Sequence, residues 1–261
     1  MKNGKISRRE IFAAYNVEYK AGKIILPNGN QSPRLLINGN AKIGNGVYHW
    51  SMLPGTGSFN AIVNDEHVNV KGTCACNCEG CYAMAGRYRM ASVINALANR
   101  TLIARENLEF MINAINAQIA AENIQLVRVH VAGDFFCDEY INAWKEIAIA
   151  NPNTRFWTYT KVHSAESAFD ELNNFNVVKS VIPSVGFNFG HCDYILSVYN
   201  ALKSEGKNVH ICKCGFDKNQ HCINCKGCSE NEFVLFLEHG TDYKAESDPL
   251  YPTLKAIALN Q

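Results

Sequence analysis

Nine of the chain's 11 cysteines fall in two short stretches, residues 74–81 (the first cysteine loop) and residues 212–228 (the second cysteine segment). A secreted disulfide framework spreads its cysteines through a domain too small to fold without them, so an odd, clumped set favours metal or cluster ligands in a reducing compartment. At 261 residues the chain is long enough to bury a hydrophobic core unaided. We therefore expect a cytoplasmic protein with two metal-binding segments.

Charge and hydropathy argue against two classes of partner. Lys plus Arg number 25 against 24 for Asp plus Glu, so the net charge is +1 and no field of the whole chain attracts nucleic acid. The first 20 residues lack the uninterrupted apolar stretch of a signal peptide, and no run of about 18 apolar residues suits a bilayer span. The sequence thus predicts no membrane association, and a nucleic-acid partner is not favoured.

Short apolar runs alternate with helical periods from residue 67 onward. This alternation predicts the α/β class, as a partial (βα) barrel of about five to six parallel strands or as an open sheet. Strands are predicted at 67–71, 126–131, 155–160, 177–182, 209–212 and 233–237, and helices at 91–119, 138–150, 163–172 and 193–202.

Changes of composition divide the chain into three predicted segments. Residues 1–66 carry Gly and Asn punctuation between short apolar runs, which predicts a β- and loop-rich amino-terminal extension. Residues 67–211 form the predicted partial barrel. Residues 212–261 begin with the second cysteine segment, so they are predicted to bind a metal or a cluster.

The first cysteine loop contains the spacing C-x3-C-x2-C, formed by Cys74, Cys78 and Cys81, after the first predicted strand. Thiolates bind iron–sulfur clusters, and a loop offering three of them leaves one iron open to another ligand. This motif resembles that of the radical S-adenosylmethionine (SAM) enzymes, which carry it after the first strand of a βα fold. The resemblance implies a [4Fe-4S] cluster on these three cysteines, with SAM at the open iron.

A second element supports the same resemblance. Ala132-Gly133-Asp134, after the second predicted strand of the core, resembles the Gly-Gly-Glu element that holds the SAM amino group, which implies that Gly133 and Asp134 bind the cofactor. Thr158 and Thr160 on the next strand, and Ser184 beyond the one after it, are further cofactor-binding candidates. The implied activity is reductive cleavage of SAM to a 5'-deoxyadenosyl radical, which abstracts hydrogen from an unknown substrate. It would require an electron donor such as flavodoxin or ferredoxin.

The sequence departs from the radical SAM pattern within the first cysteine loop. Gly80 precedes the last cysteine, where that family has an aromatic residue, and the aromatic Tyr82 follows it instead. Cys76 is an additional thiol, which could complete four-thiolate ligation in an iron–sulfur redox sensor. A non-enzymatic zinc-binding protein with two structural cysteine sites is the other alternative. The combination of Asn40-Ala41-Lys42-Ile43-Gly44, the Cys-Tyr-Ala ending of the loop and the Gly-Asp-Phe strand also resembles a phage family of the gene product 88 kind, over most of the chain.

The second cysteine segment offers five thiols with almost no apolar residues between them, so we expect a metal to order it. Its C-x2-C-x2-C run resembles half of a ferredoxin ligand set, while its C-x-C and C-x2-C pairs are equally typical of zinc sites, and His221 adds a further candidate ligand. Either Cys212 or Cys214 could complete a set of four. Cys137 and Cys192 lie outside both stretches, so they are interpreted as small hydrophobic residues. The predicted ligands here are Cys212, Cys214, Cys222, Cys225 and Cys228.

Overall fold

The computed structural model describes residues 6–39, 43–75, 78, 81–179, 181–182, 186–187, 189–217, 219–237 and 244–261. Two compact units share the chain: unit 1 comprises Met1–Asn38 and Tyr48–Phe156, and unit 2 comprises Gly39–Val47 and Trp157–Gln261. The two units are defined by which residues are close in space, whereas the three predicted segments are defined by changes of composition along the chain. The segment boundaries at 66 and 211 stay a prediction.

Unit 1 is mixed α/β. Its described elements are, in chain order, α1 (Arg8–Ala14), β1 (Tyr19–Lys20), β2 (Lys23–Ile25), β3 (Gln31–Ser32), β4 (Ile37–Asn38), β5 (Val47–His49), β6 (Ser58–Val63), β7 (Glu66–Lys71), α2 (Ala91–Glu106), α3 (Leu108–Glu122), β8 (Leu126–Val129), α4 (Asp138–Ala150) and β9 (Arg155–Thr160). Two strands cross a unit boundary: the first residue of β5 belongs to unit 2, and β9 begins in unit 1 and ends in unit 2.

Unit 2 is also mixed α/β, and it contains the last four residues of β9. Its remaining elements are α5 (His163–Glu166), β10 (Phe175–Lys179), β11 (Val181–Ile182), β12 (Gly186–Phe187), β13 (Phe189–Gly190), α6 (Cys192–Ser204), β14 (Val209–Ile211), α7 (Gly227–Glu230), β15 (Phe233–Leu237) and α8 (Tyr251–Leu259).

The sheet of unit 1 has the hydrogen-bonded order β9-β8-β5-β4. Beyond β5, Trp50 N donates to Arg128 O (3.2 Å), and Trp50 O accepts from Val131 N (3.1 Å). Met52 N then donates to Ala132 O (2.9 Å). Because the partners advance in the same direction on both segments, the continuation of β5 runs parallel to that of β8.

The prediction that residues 67–71 begin the parallel core is wrong. This strand is β7, and it pairs antiparallel with β6 from Ser58↔Lys71 to Val63↔Glu66. Only two residues separate these strands, and such a short connection can join antiparallel strands but not parallel ones. The strand next to β8 is β5, from the predicted amino-terminal extension. Whether the strands form part of a barrel stays a prediction.

An aromatic cluster on α4 forms the centre of unit 1. The ring of Trp144 makes edge contacts with Trp50, Tyr140 and Phe156, at centroid separations of 6.3, 6.4 and 6.5 Å. All four side chains are fully buried. Aromatic side chains bury large areas, so this cluster fixes α4 against the sheet that contains β9, β8 and β5.

Unit 2 has a three-stranded sheet in the order β13-β15-β14, and both pairs are parallel. Helix α6 packs on this sheet through Cys192, Ile195 and Val198, which are buried. The interpretation of Cys192 as a small buried hydrophobic residue is therefore confirmed. Strand β14 leads directly into Cys212, so the second cysteine segment begins at the carboxyl end of a parallel strand.

Several predicted elements differ from the observed ones for local reasons. Helix α1 was not predicted in residues 1–66, although Ser7 and Glu10 form a capping box at its start. The predicted helix 91–119 is two helices, because the backbone of Asn107 leaves the helical conformation (φ −142°). The predicted helix 163–172 ends at Glu166. Strands β9 and β15 have the predicted bounds, and α4 begins and ends as predicted.

Candidate functional site

Thr73 joins the first cysteine loop to the ends of the two parallel segments. Its backbone N and its Oγ1 both donate to Leu53 O, each at 2.9 Å. The same Oγ1 accepts from the backbone N of Asp134 at 3.1 Å. The cysteines therefore start at the carboxyl ends of the parallel segments, where open α/β sheets place their ligands. Sequence reasoning missed Thr73, because a threonine before a cysteine motif carries no signal of its own.

Cys74 opens the first cysteine loop, and its thiol is partly buried. Burial raises the pKa of the Cys74 thiol to about 12, with the charges of Asp134, Cys81 and Cys78 acting in the same direction and a backbone hydrogen bond from Gly55 opposing them. The Cys74 thiol therefore resists ionisation unless a cation is bound beside it.

Asp134 is buried, with 8% of its surface exposed. Its Oδ1 accepts from the backbone N of Phe135 at 2.8 Å, which fixes the carboxyl group at the end of β8. A buried carboxylate beside thiols can pair with an ammonium group, which is the role that the radical SAM resemblance implies for Asp134.

Tyr82 adds a second link between the first cysteine loop and β8. Its hydroxyl donates to the carbonyl oxygen of Val131, and its ring makes an edge contact with Tyr88 at 6.0 Å. Tyr82 follows the last cysteine of the motif, whereas the radical SAM pattern has an aromatic residue before it, and the hydrogen bond of Tyr82 holds the end of the loop at Val131. The displacement was visible in the sequence, but the hydrogen bond was not.

Gly133 occupies a position that a larger residue would not fit. Its φ is +84°, and a Cβ atom there would lie 2.6 Å from Thr73 Oγ1 and 3.1 Å from Met52 Cβ. The backbone of the Ala-Gly-Asp element therefore passes directly against the threonine that holds the first cysteine loop.

We expect Gly133→Ala to destabilise the protein and to loosen the first cysteine loop. The left-handed backbone alone costs an alanine about 1–2 kcal/mol, and the contact with Thr73 adds to this. Gly29→Ala is the matched control, because Gly29 has φ +82° with nothing within 4 Å of the added Cβ. Urea denaturation should show a larger loss for Gly133→Ala than for Gly29→Ala, and equal losses would contradict the proposed contact.

His130 is the unexpected residue near this site. It is a non-glycine residue with φ +64°, it is buried, and its Nε2 lies 2.9 Å from Tyr140 Oη. Burial, reinforced by the charge of Arg128, lowers the pKa of His130 to about 3. The imidazole is therefore neutral when folded, and its backbone conformation interrupts β8 just before Gly133. Nothing in the sequence indicated a left-handed histidine.

This buried imidazole predicts a loss of stability in acid. An unfolded histidine has a pKa of about 6.5, so below that pH the unfolded chain binds a proton that the folded chain does not. Stability should fall as the pH drops from about 7 towards the folded pKa of about 3. His130→Asn removes the titrating group and tolerates positive φ. Urea midpoints measured across this range should depend less on pH in the variant, and an unchanged dependence would contradict the account.

The remaining candidates of the first site are two threonines of unit 2 and two residues that the structure does not describe. Thr158 and Thr160 belong to unit 2, where both are buried, and Thr160 Oγ1 accepts from the backbone N of Val162 at 3.0 Å. Tyr159 between them is half-buried, which agrees with the alternation of faces along a strand. Ser184 and Cys76 lie outside the described residues.

The second cysteine segment also brings its thiols together. Cys214 Sγ donates to Gln220 O at 3.3 Å, and the side chains of Cys212 and Cys222, together with burial, raise the pKa of Cys214. Burial raises the pKa of Cys225, with further contributions from Cys212 and Cys222. Cys228 is buried, and its Sγ accepts a hydrogen bond from Tyr159 Oη at 2.6 Å.

Neither group of thiols is arranged as a complete metal coordination shell. Across the described part of the chain, no three His, Cys, Asp or Glu side chains already surround a position that could hold a metal ion. The thiols instead contact or influence one another directly. A bound metal would replace these contacts with bonds to the ion.

These features define a cysteine-rich, mixed α/β protein with thiols at strand ends in both units. The family model described as "Gene product 88" matches residues 34–239, and the chain belongs to this family. The "Gene 88 protein" of Mycobacterium phage L5 is 44% identical over 41 residues, which cover 16% of this chain and 17% of that protein. No solved structure matches the chain.

The comparisons support a relation to phage proteins and agree with the resemblance to the gene product 88 family in the sequence. They name no activity. Within the residues that the structure describes, no helix combines the length and the hydropathy that crossing a bilayer requires.

Proposed function

We propose that the chain is a radical SAM-like iron–sulfur enzyme whose cluster is held by Cys74, Cys78 and Cys81. The observation that carries the proposal is the hydrogen bond from the backbone N of the buried Asp134 to Thr73 Oγ1, which joins the Ala-Gly-Asp element and the start of the first cysteine loop into one group. The two halves of this group are 53 or more residues apart in the chain, since Cys81 and Asp134 come from different loops. Their convergence supports a common ligand more strongly than the cysteine spacing does.

The donor set suits this cofactor. Three soft thiolates on one loop match iron, and the raised pKa of Cys74 means that this thiol resists ionisation until a cation compensates it. Asp134, fixed by Phe135 N, is the group that would receive the amino group of SAM. Glycine at position 133 allows the backbone to pass close to Thr73, and the backbone N of Asp134 donates to Thr73 Oγ1 directly before the first cysteine loop.

The chain's own residues would orient the cofactors rather than perform the redox step. When bound, a [4Fe-4S] cluster with SAM supplies reductive cleavage of SAM and a 5'-deoxyadenosyl radical for hydrogen abstraction from an as yet unidentified substrate. Thr73 and Tyr82 hold the first cysteine loop on the strand ends. Thr158, Thr160 and Ser184 stay candidates for polar contacts with SAM, and a flavodoxin or ferredoxin would deliver the electron.

The proposal is tested by metal analysis of the full chain purified under anaerobic conditions. We expect about four irons per chain at the first cysteine loop, with sulfide and broad visible absorption typical of a cluster. A colourless protein that holds zinc alone after anaerobic reconstitution with iron and sulfide would overturn the proposal. That result would favour a zinc-binding protein with two structural sites.

A further inference from the structure

The segment that follows the first cysteine loop in unit 1 exposes tyrosine, methionine and arginine side chains. Directly after Cys81 the chain forms two short 3₁₀ turns, Tyr82–Met84 and Gly86–Arg89, and Met90 then precedes α2. The two turns pack on each other, so their side chains form one continuous surface. Its exposed members, together called the methionine–arginine surface, are Tyr82, Met84, Arg87, Arg89 and Met90.

Contacts on the inner side hold this surface in place. The hydroxyl of Tyr82 donates to Val131 O, and its ring makes an edge contact with Tyr88. Ala83 between the exposed residues is buried, and Tyr88 packs against the apolar cluster that α2 shares with the hairpin of β6 and β7. A surface held by such contacts is ordered before a partner binds, and this order lowers the cost of association.

Three large apolar side chains of this surface face the solvent. The exposed fractions are 59% for Tyr82, 47% for Met84 and 53% for Met90. Single exposed apolar residues are normal on any protein surface, whereas a contiguous group of them marks an interaction site. Because all three fall within residues 82–90, we interpret them as such a group.

The charge of this part of the chain has one sign. Residues 82–105 contain four arginines and no lysine, aspartate or glutamate, although the net charge of the whole chain is only +1. Arg87 and Arg89 are exposed, and among the described residues neither forms an ion pair with a carboxylate. Carboxylates on a partner would complement these two guanidinium groups and would steer the partner towards them.

The composition of the surface favours a protein partner over a nucleic acid. Tyrosine, methionine and arginine are enriched in the centres of protein interfaces, where lysine, glutamate and aspartate are depleted. A nucleic-acid site instead needs several cations along the phosphate backbone, and this surface offers two, with a methionine on either side of them. A surface of five side chains suits the small, transient interfaces that electron-transfer proteins form.

We propose that the methionine–arginine surface is the docking site of an acidic electron-donor protein. The inference rests on the proposed function, because Tyr82 directly follows Cys81, the last proposed cluster ligand. Carboxylates of the donor pair with Arg87 and Arg89, and an apolar part of its surface covers the two methionines. The donor is oxidised by one electron, which is the electron that reductive cleavage of one SAM consumes.

The experiment uses a flavodoxin of negative net charge as the probe and the full chain as its partner. Isothermal titration calorimetry at low salt gives the Kd of the wild type, of the double variant Arg87→Glu/Arg89→Glu and of Arg9→Glu. Arg9 is an exposed arginine on α1, so it is the matched control for charge reversal. We expect binding to weaken more than about tenfold in the double variant and less than about twofold in Arg9→Glu.

A second readout separates docking from catalysis. 5'-Deoxyadenosine is measured with reduced flavodoxin and, in parallel, with dithionite, a small reductant that needs no protein docking site. The double variant should lose more than about tenfold of the flavodoxin-driven product and keep the dithionite-driven product. If dithionite yields no product with the wild type, the proposed function fails, and the difference in Kd still decides whether the surface binds the donor.

Three results would overturn the inference. The first is an equal Kd for the wild type and the double variant, and the second is a wild type that does not bind the flavodoxin at low salt. The third is a fluorescein-labelled oligothymidylate whose binding is lost in the double variant while flavodoxin binding is unchanged, since this would assign the surface to nucleic acid. If the double variant does not fold, Met84→Ser/Met90→Ser replaces it, and this variant should also weaken flavodoxin binding.

Discussion

Cys81→Ala is expected to reduce the iron content from about four atoms per chain to near zero. In the proposed site Cys74, Cys78 and Cys81 bind one cluster, and the charges of Cys81 and Cys78 already contribute to the raised pKa of Cys74. In the proposed site three irons are bound by thiolates and the fourth iron is left for SAM, so the loss of one thiolate cannot be replaced by another cysteine of the set. The measurement is iron and sulfide per chain after anaerobic reconstitution, together with visible absorption.

Two further cysteines make this result interpretable. Cys137→Ala is the matched control, since Cys137 is a half-buried thiol in unit 1 at the N-cap position of α4, outside the first cysteine loop. Its iron content should equal that of the wild type. Cys76→Ala should also retain iron, whereas loss of iron in Cys76→Ala with retention in Cys81→Ala would contradict the three-cysteine assignment and favour a four-thiolate redox sensor.

Trp144→Ala is expected to cause the largest loss of folding stability, about 3–5 kcal/mol. The indole is fully buried and lies between Trp50, Tyr140 and Phe156, so its removal leaves a large cavity. Domains of this kind are stable by only about 5–15 kcal/mol, so the variant should be close to unfolding at 37 °C. The shift of the urea midpoint measures the effect.

Ile149→Ala provides the control on the same helix. Ile149 is 64% exposed on α4, so its truncation should change the stability by no more than about 0.5 kcal/mol. Similar losses in the two variants would show that helix propensity, rather than the aromatic cluster, holds α4 in place. This outcome would also remove the argument that α4 fixes the sheet beneath the first cysteine loop.

Much of the secondary structure could be predicted because its signals are local. The amphipathic pattern of α4 and the apolar runs of β9 and β15 are explicit in the sequence, and these elements have the predicted bounds. The arrangement of strands could not be predicted in the same way. β7 has the apolar alternation of a core strand, yet it pairs with its sequence neighbour β6, and that choice depends on a two-residue turn.

Some residues of the candidate sites could be identified from the sequence, and others only from the structure. The cysteine spacing and Asp134 were found from the sequence because motif residues are close together or follow a strand. Thr73, Tyr82 and the left-handed His130 act through contacts between segments far apart in the chain, so they became visible only in the structure. Whether Cys212 or Cys214 completes a set of four ligands stays the alternative that the sequence left open.

The central claim is tested most directly by incubating the anaerobically reconstituted full chain with dithionite and SAM and measuring 5'-deoxyadenosine by liquid chromatography and mass spectrometry. The account predicts that 5'-deoxyadenosine accumulates with the wild type, requires dithionite, and is absent with Cys81→Ala. A wild-type protein that holds about four irons per chain but forms no 5'-deoxyadenosine above the Cys81→Ala background would contradict it.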